Sequence, residues 1–79
     1  MPKLPQVSGT RVVKLLESLD YTVVRQKGSH VVLRKTTIAG EHNITVPVHK
    51  DIAKGTLADI ITRVSLWNNI TKEAILKKL

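Results

Sequence analysis

Seventy-nine residues with no cysteine leave room for one compact domain and exclude a disulfide scaffold or a thiolate metal site. Apolar residues make up 42% of the chain, enough for a packed core and too many for a disordered segment. Thirteen Lys and Arg against six Asp and Glu give a net charge of +7, which in so small a protein favours a polyanionic partner: nucleic acid, an acidic protein or an anionic membrane.

Ser8 is positioned as an N-cap, and Val12, Leu15, Leu16 and Leu19 follow at helical spacing, so residues 9–19 form the first expected helix, closed by Asp20. Tyr21 to Gln26 is rich in β-branched residues and reads as a first strand. Lys27-Gly28 is the turn, Ser29 to Lys35 the second strand, and Thr36 to Glu41 a loop containing Gly40. In the third strand, His42 to Val48, Ile44, Val46 and Val48 alternate with Asn43, Thr45 and Pro47. Pro47 cannot donate to a ladder, which calls for an edge strand. Residues 49–55 are a polar connector. Thr56 and Asp59 resemble a capping box, and Leu57, Ile60, Ile61 and Val64 give a second helix over about 57–66. Asn68-Asn69 breaks it, and Thr71 caps a short last helix carrying Ala74, Ile75 and Leu79.

The predicted order is helix, three-stranded antiparallel meander, helix, short helix: an α+β domain spanning 1–79, with no internal repeat. Two amphipathic helices and a meander pack best in two layers, both helices on one face, leaving the other face open. No apolar run is long enough to span a bilayer, and residues 1–6 lack the apolar centre of a signal peptide, so a cytoplasmic protein with no membrane partner is expected.

Strand alternation places Val31 and Leu33 on one face of the second strand, and His30, Val32 and Arg34 on the other. With Ile44, Val46 and Val48 inward, Thr45, Pro47 and His49 share the outer face. His30 and His49 are then neighbours of the basic group Arg25, Lys27, Arg34 and Lys35; residues 22–35 hold four basic residues and no acidic one. Such a face suits RNA. Cations bind phosphates. An imidazole can take a proton from a ribose 2′-hydroxyl or give one to a leaving oxygen. A nearby Lys or Arg can stabilise charge developing at phosphorus. Taken singly, His30 reads equally as a solvated strand histidine, the basic group as a solubilising face, and His49 as strand-end packing. A zinc site built from His30, His42 and His49 lacks any metal-ligand spacing, and the carboxylates are too scattered for a two-metal nuclease. Tyr21 and Trp67 are too few for a base-stacking platform, and Trp67 reads as a core or partner-contact residue.

The run Val24-Arg-Gln-Lys-Gly-Ser-His-Val-Val-Leu-Arg34 resembles the signature of the HicA, or YcfA-like, mRNA interferase toxins. Supporting pieces occur in the same order: Ser8-Gly9 with Val-Lys-Leu-Leu-Glu (13–17), Thr45-Val-Pro-Val-His49, Lys54-Gly55-Thr56-Leu57 and Ile70-Thr71-Lys72-Glu73. The resemblance covers roughly residues 8–76. It departs at Lys54-Gly55, which lacks the usual preceding proline, and at Leu66-Trp67-Asn68-Asn69, which replaces a shorter turn. It implies a double-stranded-RNA-binding-domain-like α-β-β-β-α fold and a toxin–antitoxin toxin acting as a metal-independent mRNA endoribonuclease without a cofactor. The catalytic residue carries over to His30. Arg25, Lys27, Gly28, Ser29, Arg34 and Lys35 are the candidate substrate-binding residues, and His49 is a candidate auxiliary acid or base. A HicB-type antitoxin is the implied protein partner, with a monomer alone and a hetero-oligomer in its company. The alternative is a non-catalytic RNA-binding module of the same fold.

Overall fold

The structure, a computed structural model, describes residues 4–79, so the expectation about residues 1–6 falls partly outside it. Its elements are α1 (Gly9–Ser18), β1 (Thr22–Lys27), β2 (His30–Thr37), β3 (Gly40–Pro47), α2 (Lys54–Asn68) and α3 (Lys72–Lys77). The fold is the expected α+β arrangement, with the strands antiparallel in the order β1-β2-β3. β3 is an edge strand, as Pro47 requires.

α1 begins where the Ser8 hydroxyl accepts the Arg11 N–H at 3.2 Å. It buries the stripe Val12, Leu15 and Leu16. Asp20, at φ 73, turns the chain out of the helix into β1. On the sheet, Val31, Leu33, Ile44 and Val46 face inward and are buried with Leu57, Ile60, Ile61 and Val64 of α2 and Ile75 of α3. Burial of each Val, Leu or Ile side chain in this layer contributes roughly 1.5–3 kcal/mol, the main force joining helices to sheet. Opposite them, Thr22, Arg34, Asn43 and Thr45 are exposed.

Several boundaries differ from the sequence reading, and the turn expected at Lys27-Gly28 lies at Gly28-Ser29, because Lys27 pairs with His30. The loop expected over Thr36–Glu41 shrinks to Ile38-Ala39, because Thr37 pairs with Gly40 and its hydroxyl donates to the Gly40 carbonyl at 2.9 Å. The capping box at Thr56 does not form. α2 starts at Lys54 behind Ala53, which offers no side-chain cap, and the Leu57 N–H donates to the Ala53 carbonyl. α2 also runs through Asn68 and stops only at Asn69, which takes the left-handed conformation at φ 51. Thr71 does cap α3, accepting the Ala74 N–H at 3.1 Å.

One glycine is demanded by contact. A Cβ on Gly9 would lie 2.1 Å from the Pro47 carbonyl oxygen and 2.6 Å from Val48 Cα, so only glycine lets α1 sit against the end of β3. The Gly9 N–H donates to the His49 carbonyl and the Ile52 N–H to the Val7 carbonyl, each at 2.9 Å, fastening the helix start to the chain leaving β3.

Candidate functional site

His30 is the first residue of the central strand and is exposed. It pairs with Lys27 on one side and Pro47 on the other, so Gly28-Ser29 is the two-residue loop of a tight hairpin. Gly28 sits at φ +59 and Ser29 does not share the positive sign, the pattern of a type II′ turn with glycine in its first central position. The Val48 N–H donates to the Ser29 carbonyl at 2.5 Å, which ties the turn to the end of β3.

A β-bulge aims the neighbouring cations. Val23 pairs with Leu33, an inward residue, yet Arg25 pairs with Val32 and Lys27 with His30, both outward. Strict alternation would have put Arg25 and Lys27 on the side of Val23. The extra residue, Val24, shifts the phase and moves both cations to the histidine's face. Arg25, Lys27, Gly28, Ser29, His30, Val32 and Thr45 line one open concavity of about 560 Å³. Its charged groups are all cationic, and Val32 and Thr45, paired across β2 and β3, lie on its strand side.

The structure separates three of the expected residues from this group. Arg34 is on the same face but about 13 Å along the strand from His30, at the rise of an extended chain. Its guanidinium donates to Asn43 Oδ1 at 2.9 Å and lies 3.7 Å from the Glu41 carboxylate. Lys35 is on the opposite face. It follows the parity of Val31 and Leu33, and its ammonium donates to Asn68 Oδ1 of α2 and lies 5.8 Å from the Tyr21 ring centre. It is therefore not beside His30, as the sequence grouping had it. His49, beyond the end of β3, is exposed but does not line the concavity.

The third histidine belongs to the core. His42 is 4% exposed, and the Trp67 ring stacks on it with centroids 4.9 Å apart and planes 5° from parallel. The Asn68 amide donates to the Tyr21 hydroxyl at 3.1 Å and to the Val64 carbonyl at 2.9 Å. The Tyr21 hydroxyl in turn lies 2.5 Å from His42 Nδ1. Burial raises the Tyr21 pKa, against a smaller lowering by the Asn68 bond. A phenol that keeps its proton donates to Nδ1 in the tautomer that carries the imidazole hydrogen on Nε2, and Nε2 is buried without a partner. Burial lowers the His42 pKa, and the Arg63 charge lowers it further. His42 is a neutral structural group on the far side of the sheet from His30. Trp67, half sunk against it, joins exposed Leu66 and Ala39 around a small apolar hollow.

A family model described as HicA toxin of bacterial toxin-antitoxin matches residues 9–66. No curated protein and no solved structure matches the chain. The matched span holds α1, the whole sheet, all the residues of the His30 concavity and most of α2.

Proposed function

The chain belongs to the HicA toxin family, the toxin side of a bacterial toxin–antitoxin pair, and on that premise we propose that it is a metal-independent endoribonuclease that cuts mRNA, with His30 as its proton-transfer group. The observation that carries this reading is the exposed imidazole of His30 in an open concavity whose charged side chains, Arg25 and Lys27, are both cations.

The chemistry follows from those groups. Arg25 and Lys27 hold the non-bridging oxygens of one phosphate. His30 takes the proton of the adjacent 2′-hydroxyl, and that oxygen attacks phosphorus. The bond to the 5′-oxygen breaks, the 5′-oxygen gains a proton, and the products are a 2′,3′-cyclic phosphate and a 5′-hydroxyl. The cations stabilise the extra charge on phosphorus in the transition state, so base and electrophile are both supplied by side chains. A broad, shallow site fits a single strand laid across it. His49 lies outside the concavity, so the leaving oxygen is protonated by His30 after it has become imidazolium, or by solvent. The test is cleavage of a single-stranded RNA by purified protein in EDTA, with His30→Ala beside it. Cutting with cyclic-phosphate ends that vanishes in the variant supports the reading. Equal cutting by both proteins overturns it, and binding without cutting by either favours the RNA-binding module.

HicA toxins pair with HicB antitoxins, and a site this open can be blocked only by covering it. The HicB-type partner lies over His30 and sets acidic groups against Arg25 and Lys27, in a hetero-oligomer formed from a toxin that is monomeric alone. Complementary charge makes that association fast and salt-sensitive. No helix among the described residues is long and apolar enough to cross a membrane, and action on mRNA places the toxin in the cytoplasm.

A further inference from the structure

A second cationic hollow lies away from the His30 concavity, along the outer side of α1. It is an open groove of about 420 Å³ lined by Ser8, Thr10, Arg11, Lys14, Leu15, Ser18 and, from the end of the chain, Lys78. Three cations and three hydroxyls line it, no carboxylate does, and its one apolar residue, Leu15, is 6% exposed. We propose that this groove is a second RNA-backbone site, which holds phosphates of the strand that His30 cuts. The proposal rests on the ribonuclease reading and extends it by a second place of contact.

The lining chooses the ligand. Side chains that fix a nucleic-acid backbone without reading bases are Lys, Arg, Ser and Thr, the set found here. A protein interface needs apolar or aromatic anchors at its centre, and this groove offers none. The groove is also joined to the cutting site. Ser8, at its end, precedes Gly9, whose Cα is pressed against the Pro47 carbonyl and whose N–H donates to the His49 carbonyl. Pro47 is the register partner of His30, and the Val48 N–H holds the Ser29 carbonyl. The rigid end of β3 therefore sets the start of the groove at a fixed place relative to His30. The groove and the concavity lie on different sides of the sheet, so only a strand long enough to pass round the end of β3 touches both, and contacts in the groove raise affinity for long RNA only.

The test compares the native protein with Lys14→Ala/Lys78→Ala. Both side chains are exposed and outside the concavity, so folding and cutting of a minimal substrate should be retained. The probes are 2′-O-methyl oligoribonucleotides, which lack the attacking hydroxyl, of about four and about twenty nucleotides. The expected result is roughly ten-fold weaker binding of the long probe, a salt slope smaller by about 1.4, and unchanged binding of the short probe. A long probe bound equally by both proteins overturns the proposal while the ribonuclease reading stands. Loss of the HicB-type antitoxin with RNA affinity intact overturns it in favour of a protein surface. If the native protein binds neither probe, the ribonuclease reading falls and this site falls with it.

Discussion

His30 and His42 stand on neighbouring strands of one sheet and have opposite surroundings. His30 faces out among Arg25 and Lys27, in water, with nothing packed on it. His42 faces in, stacked on Trp67 and hydrogen-bonded to Tyr21, and its environment disfavours the charged form. The same side chain is thus available for proton transfer at one place and held neutral in a packed polar cluster at the other. What separates them is the parity of a strand position, since adjacent residues of a pleated strand point to opposite faces. A histidine count says nothing about chemistry until each ring has been assigned a face.

The widest separation between the two should appear on substituting each. His30→Ala is expected to lower RNA cleavage about 100- to 10,000-fold, the usual contribution of a general base, and to change stability by less than about 0.5 kcal/mol, as for other exposed positions. His42→Ala should do the reverse. It removes the Trp67 stack and leaves the Tyr21 hydroxyl without its acceptor, a loss of about 2–4 kcal/mol that a denaturant titration would read. Cleavage per folded molecule should not change. Equal effects of both substitutions on both readouts would erase the distinction.

A smaller contrast lies among the cations. Arg25 and Lys27 reach the His30 face because Val24 is a bulge, whereas Arg34 is engaged by Asn43 and Glu41 and Lys35 belongs to the helix face. Lys27→Ala should therefore weaken RNA binding several-fold and reduce its salt dependence by one phosphate contact, about 0.7 in the log–log slope. Lys35→Ala should leave the slope unchanged. A salt slope that moves equally for the two would show that face does not matter to binding.

These residues also mark what could be read before the structure. The element order, the outward turn of His30 and the inward turn of Val31, Leu33, Ile44 and Val46 follow from periodicity, which is local. The inward place of Lys35 was equally legible, being in phase with Val31 and Leu33, but its charge argued against burial and the partner that reconciles the two, Asn68, comes from a distant helix. His42 is likewise in phase with Ile44 and Val46, so its inward turn was open to the same alternation, but its stacking on Trp67 depends on a distant helix and was not. The bulge at Val24 was not legible, because nothing in Val23-Val24 says which residue will be left unpaired. That choice is made by the register with β2, and it decides where two of the site's cations point. Thr45 was placed on the outer face by alternation, but its share in the concavity appears only once β2 and β3 are aligned.

The finest test of the two histidines is pH. His42 has a lowered pKa in the folded chain, first because it is buried and then because Arg63 is near. Its ordinary value, which the unfolded chain regains, is about 6.5. Above that value both states carry a neutral ring and His42 adds no pH dependence. As the pH falls below it, the unfolded state takes up a proton that the folded state resists, so the unfolded state binds more protons and stability declines with falling pH. The decline ends only once the folded ring also protonates, which breaks the bond that Nδ1 accepts from Tyr21 and puts a charge against Trp67 and near Lys35 and Arg63. Thermal unfolding between about pH 7 and pH 5 should therefore show Tm falling by a few degrees in the native protein, ahead of the carboxylate titrations. In His42→Phe, which keeps a ring against Trp67 but cannot take a proton, the same interval should be flat, although the protein starts from a lower Tm because the Tyr21 hydroxyl has lost its acceptor. A slope that survives in His42→Phe would place the titrating group elsewhere and remove the physical basis for treating the two histidines as opposites.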